Sequence, residues 1–354
     1  MTTAADQTEQ LSERVRAAFE SKTPLNLTGS GSKAFLGEHV EGEALDVTGH
    51  TGVVNYEPGE LVMTVRAGTP LAAVESVLEA EGQMLAFEPP HYGDNATIGG
   101  TIATGLSGPA RPFTGAARDF VLGTRIINGQ GQALRFGGEV MKNVAGYDLS
   151  RLMAGAYGTL GVLLEVSLKV LPLPRTQITR VFEQGASEAL TQISDWQRKP
   201  WPITGAYWEE GKTYLRLAGA TSSVESACEK LGGETLDDDK SFWRKVREQQ
   251  RPFFENKDKP LWRLSLPPAA PMLELDGDSV IDWGGAQRWL HSDMEPVGLR
   301  RVVKDEGGHA SVYRGDTRPR FHPIGESMLA LQQRLKRSMD PAGILNPARI
   351  YPEL

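Results

Sequence analysis

Cysteine is almost missing from this chain: Cys228 is the one thiol in 354 residues, and histidine contributes only six. A single thiol cannot close an intrachain disulfide, nor can it hold an iron–sulfur cluster, which takes about four cysteine ligands. Electrons, if the chain handles any, need another kind of carrier and a second polypeptide or oxygen to take them onward. Apolar runs are short, and none approaches the ~20 residues of a spanning helix. Met1-Thr2-Thr3-Ala4-Ala5-Asp6-Gln7 lacks the basic and apolar regions of a secretion signal, so the expected compartment is the cytoplasm. Basic residues are outnumbered, 38 Lys and Arg against 45 Asp and Glu, giving a net charge of -7. That balance argues against a nucleic-acid partner.

What the chain does have is glycine, and it is unevenly placed: 24 of the 39 lie before residue 172, whereas all seven tryptophans fall between Trp196 and Trp289. Leu171-Pro172-Leu173-Pro174 marks the change. The first part is built from loops that expose backbone, the second from large side chains, so a bound cofactor is expected in the first. Three glycine clusters stand out: Gly29-Ser30-Gly31-Ser32-Lys33, Thr97-Ile98-Gly99-Gly100-Thr101-Ile102-Ala103, and Gly155-Ala156-Tyr157-Gly158-Thr159-Leu160-Gly161-Val162. Successive exposed N–H groups form an anion-binding concavity without a basic side chain. A diphosphate is the ligand that such loops suit, the plainer reading being ordinary loop glycines. Gly29-x-Gly31-x-x-Ala34 formally matches a dinucleotide fingerprint, but Phe35–Gly42 has no helical periodicity to set beneath a pyrophosphate. A Rossmann domain is therefore disfavoured. Lys33 is either a phosphate donor or a solvated loop charge. His91, after Pro89-Pro90, is a structural hydrogen bonder more readily than a base.

Helical spacing predicts helices over 8–20, from Pro70 with Leu71, Val74, Val77 and Leu78 inward, and over 324–339 with Met328, Leu331, Leu335 and Met339 inward. Strands are expected at 25–28, 44–47, 53–56, 61–66, 83–87, 120–128 and 131–136, and a helix is expected to begin at Gly146–Leu149. Alternation over 162–170 predicts a half-buried strand with Glu165, Ser167 and Lys169 outward. Beyond residue 174 the pattern is strand 177–183, helix 186–198, strands 203–209 and 213–218, helices 221–231 and 242–250, strand 261–266 and a hairpin over 280–290. Two β-α-β-β sets point to a ferredoxin-like layer. Its tryptophans are core residues, or alternatively a patch facing a partner.

The three clusters, together with Pro89-Pro90-His91-Tyr92-Gly93, Arg118–Arg125, the run Phe136–Leu149 and the closing Met339-Asp340-Pro341-Ala342-Gly343-Ile344-Leu345-Asn346-Pro347-Ala348-Arg349, resemble the FAD-linked oxidases of the vanillyl-alcohol oxidase and D-lactate dehydrogenase type. Within them the nearest resemblance is to the FAD-binding subunit of bacterial glycolate oxidase, over nearly the whole chain. It implies an α+β fold: a two-part FAD-binding domain (1–174), a ferredoxin-like α+β domain (175–320), and a C-terminal helix and tail (321–354) packing back on the first. It implies FAD contacts from Gly29, Ser30, Gly31, Ser32, Lys33, Pro89, Gly93, Thr97, Ile98, Gly99, Gly100, Ala103, Asn143, Gly158, Thr159, Gly161 and Val162. The first loop offers neither the His nor the Cys that links flavin covalently in some members, so a noncovalent cofactor is expected, and no metal.

The resemblance further implies hydride transfer from glycolate, or D-lactate, to flavin. A sister FAD-linked subunit and an iron–sulfur subunit would be the partners, in the cytoplasm or at the inner face of the cytoplasmic membrane. The His-rich segment with a Gly-Asp-Gly-Asn core and the later Glu-His-Gly of hydroxy-acid-oxidising relatives are missing, leaving His309, Arg111 and Arg118 as weak catalytic candidates. Two alternatives stand beside this reading: a self-sufficient FAD-dependent 2-hydroxy-acid dehydrogenase, and a non-catalytic scaffold subunit.

Overall fold

The computed structural model describes residues 5–138 and 148–354. The chain forms two compact units, one made of residues 1–106, 116–173 and 323–354, the other of 107–115 and 174–322.

In the first unit a five-stranded antiparallel sheet runs in the order Val53–Glu57, Val62–Arg66, Val162–Lys169, Val121–Ile127, Ala133–Gly137. The helix Leu71–Ala80 places Leu71, Val74 and Leu78 in the core, while Val77 turns outward, 37% exposed. Thr69 serves that helix indirectly: its hydroxyl accepts the Gly52 amide (2.9 Å) instead of capping. The central strand Val162–Lys169 departs from the alternation read in its sequence, because both faces are buried. Its outward polar residues are matched in place. Glu165 takes Arg125 and Arg135 at 2.9 Å each, and Ser167 shares a 2.8 Å hydrogen bond with Thr64. The strand expected over 83–87 shortens to Gln83–Met84, paired with Leu171–Pro172.

A smaller core in the same unit joins the helix Thr8–Ser21 to the parallel pair Leu25–Thr28 and Glu43–Asp46, with Leu11, Val15, Leu25, Leu45, Ile344 and Leu345 buried together. Turns rather than a helix follow Thr28, as the glycine-rich sequence after it requires. The last helix, Glu326–Met339, buries Met339, but Met328 and Leu331 are 51% and 50% exposed, contrary to the inward face that its spacing suggests. Only its C-terminal half reaches the core. The helix start expected at Gly146–Leu149 falls mainly outside the described residues.

The second unit is built on an eight-stranded antiparallel sheet, in the order Glu234–Thr235, Thr176–Glu183, Lys212–Gly219, Ile203–Glu209, Asp278–Asp282, Gln287–His291, Leu261–Ser265, His309–Arg314. Helices Ala186–Gln197 and Thr221–Leu231 cover its first half. The helix Pro296–Asp305 packs Leu299 and Val303 against Trp262, Leu264, Leu290 and Val312 in the second. That helix and the strand after it were not anticipated, although Glu295-Pro296 is a start signal: both Glu295 carboxylate oxygens accept first-turn amides, from Val297 and Gly298. Trp243, Trp262, Trp283 and Trp289 are at most 5% exposed and belong to the core, as does Trp196, whereas Trp208, also expected there, is half-buried with its indole donating to the Gln184 carbonyl.

Candidate functional site

The three glycine clusters meet in the first unit around an open cleft, lined by Leu27, Thr28 and Gly29, by Gly99, Gly100 and Ala103, and by Met153, Ala156–Gly158 and Gly161–Leu163. Val47, Ala67 and Asn346 complete its wall. These segments are far apart in sequence, and the sheet brings them to one place. The strand Leu25–Thr28 delivers the first loop, and the segment before strand Val162–Lys169 delivers the third.

The loops offer different things. Among the described residues, the amides of Gly29, Ser30, Gly31 and Ser32 donate to no protein acceptor, and neither do those of Gly158, Leu160 and Gly161. Such groups must be met by solvent or by a ligand, and a run of four of them suits phosphate oxygens. The middle loop has its amides committed. Ile98 donates to the Thr69 carbonyl (3.0 Å), Gly99 to that of Ala67 (2.8 Å), and Gly100 to the Thr97 hydroxyl (3.2 Å). The Gly99 and Gly100 amides thus have protein acceptors, and both residues also pack closely. A Cβ on Gly99 would stand 2.7 Å from that of Ala67, and Gly100 leaves the cleft wall low.

Of the other expected contacts, Ser30, Gly31, Ser32 and Lys33 share the first loop with Gly29. Lys33 is buried, its ammonium donating to the His91 carbonyl (3.1 Å) and lying 3.4 Å from the Ser32 hydroxyl. It ties the loop to the Pro89–Gly93 turn rather than standing in solvent. His91 itself is held by Glu75, 2.9 Å from its Nε2. Thr97 is the N-cap of the helix Ile98–Thr104, and Ile98 is core. The Thr159 hydroxyl is committed to the Ala156 carbonyl at 2.7 Å. Gly29, Gly99, Gly100, Ala103, Gly158, Gly161 and Val162 line the cleft, whereas Ser30, Gly31, Ser32, Lys33, Pro89, Gly93, Thr97, Ile98 and Thr159 do not. Asn143 lies outside the described residues.

The closing motif organises these loops more directly than its sequence suggests. Lys336, nearly buried, donates to the Thr159 carbonyl (2.8 Å) and the Leu345 carbonyl (2.6 Å) and pairs with Asp340 at 2.8 Å. Burial pushes the lysine pKa down and Asp340 opposes the shift. Asp340 in turn accepts the Ile344 and Leu345 amides. Arg349 donates to the carbonyls of Ala34 (3.1 Å) and Glu38 (2.7 Å), closing the far side of the first loop. The available signal was a lysine four residues before an Asp-Pro helix stop, a spacing that puts both on one helix face.

None of the catalytic candidates lines the cleft. Arg118 is 66% exposed beside Asp119, at 3.9 Å. Arg111 and His309 belong to the second unit. Arg111 stacks 4.4 Å from the Trp283 ring centre. His309 opens an outer strand with its ring 6.2 Å from that of His322, and burial, then Arg263 and His322, lower its pKa. Among the described residues, those lining the cleft carry no carboxylate, imidazole, ammonium or guanidinium. Among the described residues no group of three His, Cys, Asp or Glu is placed to hold a metal, and no helix is long and apolar enough to cross a membrane.

Comparison with known proteins matches this geometry. A family model described as an FAD binding domain matches residues 2–137. The glycolate oxidase subunit GlcE of Escherichia coli K12 is 52% identical over 350 residues, 99% of each chain. A D-lactate dehydrogenase of Anaerostipes hadrus is 30% identical over 182 residues, half of this chain and 38% of that protein. The glycolate oxidase subunit GlcD of Bacillus subtilis is 31% identical over 192 residues, covering 53% and 40%. Among solved structures, an alkyldihydroxyacetonephosphate synthase superposes with a TM-score of 0.65 at 15% identity, over 96% of this chain and 75% of the other, which shows a shared fold.

Proposed function

Since the chain belongs to the FAD-linked oxidases, in the group of glycolate oxidase subunits, we propose that it is the FAD-binding subunit of a multi-subunit enzyme oxidising glycolate, or a close 2-hydroxy acid such as D-lactate, to the 2-oxo acid. The observation that carries this reading is the meeting of three glycine segments on one cleft, with the Gly29–Ser32 amides free to take an anion. FAD is the cofactor, and we place it there noncovalently. The first loop would wrap its diphosphate, the low wall at Gly100 and Ala103 would leave room for the ring system, and Gly158–Val162 would meet the adenosine end. When bound, the flavin supplies the acceptor for the hydride leaving C2 of the acid. The working division is 1–174 for the cofactor, 175–320 for a cap, and 321–354 as the tail that braces the cofactor loops.

Oxidising a hydroxy acid also requires a base for the hydroxyl proton and a cation for the carboxylate. The described cleft lining has neither, which favours completion of the site by a sister FAD-linked subunit. With one cysteine, this chain would hand electrons to an iron–sulfur subunit rather than hold a cluster. The complex would lie in the cytoplasm or at the inner face of the cytoplasmic membrane. The test is an absorbance spectrum of the chain purified alone, before and after anaerobic glycolate. A flavin spectrum that stays oxidised supports the partner-dependent reading. Bleaching makes the chain catalytic by itself, and failure to retain added FAD reduces it to a scaffold.

A further inference from the structure

Asn346 ties the first and third glycine segments together with a single side chain. Its Oδ1 accepts the Leu27 amide at 2.7 Å, two residues before Gly29. Its Nδ2 donates to the Tyr157 carbonyl at 2.6 Å, one residue before Gly158. Its own amide donates to the Leu25 carbonyl (3.0 Å), continuing the parallel bridge between Leu25 and Leu345. The residue is 4% exposed and lies on the cleft wall. Its φ of 41° is in the left-handed region, which asparagine tolerates better than other non-glycine residues. A Cβ on Gly158, itself at φ 73°, would come within 2.8 Å of the Asn346 Nδ2. The contact is thus built from both sides.

A carboxamide offers an acceptor and a donor on one rigid plane, and both bonds here use that pairing. We propose that Asn346 is a positioning residue that sets the spacing between the Gly29–Ser32 loop and the Gly158–Gly161 loop, so that the tail determines how tightly the cleft holds FAD. The inference rests on the FAD reading above. Lys336 grips the third loop and the tail, and Arg349 holds the far end of the first.

The test compares FAD binding by the full chain with that of Asn346→Asp and Asn346→Ala, by flavin-fluorescence quenching and visible circular dichroism. Asp keeps the acceptor for Leu27 but cannot donate to Tyr157, so the FAD dissociation constant should rise about tenfold. Ala loses both bonds and should weaken binding further, with altered circular dichroism of any flavin retained. A purely structural residue would instead lower the melting temperature of the FAD-free protein and leave the dissociation constant unchanged, which overturns the proposal. Should the variants not fold, amide exchange on the wild-type chain decides. Added FAD should slow exchange at Leu27 and at 157–161 together, and slowing in one segment alone overturns the coupling. A wild-type chain that binds no FAD overturns the cofactor reading and this inference with it, whereas a wild-type-like Asn346→Asp overturns only the latter.

Discussion

The two units of this chain hold themselves together by different means, and the difference follows their composition. In the first, key contacts are backbone groups meeting backbone or carboxamide: the Gly99 amide on Ala67, and the Leu27 amide and Tyr157 carbonyl on Asn346. In the second, side chains meet side chains. Guanidinium groups lie over aromatic rings at Arg111–Trp283, Arg216–Trp243, Arg251–Phe242, Arg263–Trp283 and Arg300–Trp262, all within 5.4 Å of the ring centre. Such contacts add about 0.5–2 kcal/mol each to the area already buried. A unit that leaves its backbone amides open for an anion cannot also fill that space with large side chains. The glycine-poor unit has no such obligation and packs for stability.

This contrast can be broken from either side. Trp262, 1% exposed, joins the helix Pro296–Asp305 to the second unit's sheet, and its indole donates to the Ser292 carbonyl. Trp262→Ala should cost about 3–5 kcal/mol, seen as an early unfolding transition by calorimetry. FAD affinity should be retained below that transition if the cofactor belongs to the first unit alone. In the first unit the sensitive change is to add atoms rather than remove them. Gly99→Ala puts a methyl group 2.7 Å from the Ala67 Cβ and 2.8 Å from the carbonyl that its own amide binds. The helix Ile98–Thr104 must then shift, at a cost of about 1–3 kcal/mol, and FAD retention should fall with it. A Gly99→Ala protein with wild-type stability and flavin content would refute the packing role assigned to that glycine.

How much of this could be read beforehand depended on whether the signal was local. The strand Leu25–Thr28, the glycine loops and the domain change near Pro174 were legible because turn chemistry and composition are written in consecutive residues. Glu165 was misplaced because alternation marks polarity, and only the paired strands show that Arg125 and Arg135 cover it. Met328 and Leu331 were misplaced because helical spacing gives a stripe but not how far along the helix the core extends. The packing of Gly99 against Ala67 was not legible, since a glycine freed for a ligand and a glycine pressed against a neighbour look alike in sequence. Asn346 was legible only as part of a closing motif. Its partners, Leu27 and Tyr157, are 319 and 189 residues away.

The smallest effect expected is on pH dependence, and it tests whether the first unit's reliance on backbone extends to its buried imidazole. His50 is fully buried, and its Nδ1 accepts the Gln7 amide at 3.0 Å, so the ring's own proton sits on Nε2. Burial pushes its pKa below 6.5, Asp6 opposes the shift, and Arg66 adds to it. With the folded value below the unfolded one, the unfolded chain takes up the proton first. Stability is therefore lost as pH falls through 6.5 toward the folded value, and it is flat above that window. Asp6 lies outside the window, its carboxyl held at about 2 chiefly by hydrogen bonds from Thr8. His50→Asn keeps an acceptor near the Gln7 amide without a titrating ring. Urea unfolding of the variant should show a shallower loss of stability between pH 6.5 and 5 than the wild type, with little change at pH 8. An unchanged slope would assign the acid sensitivity to the second unit, where burial also lowers the pKa values of His309 and His322.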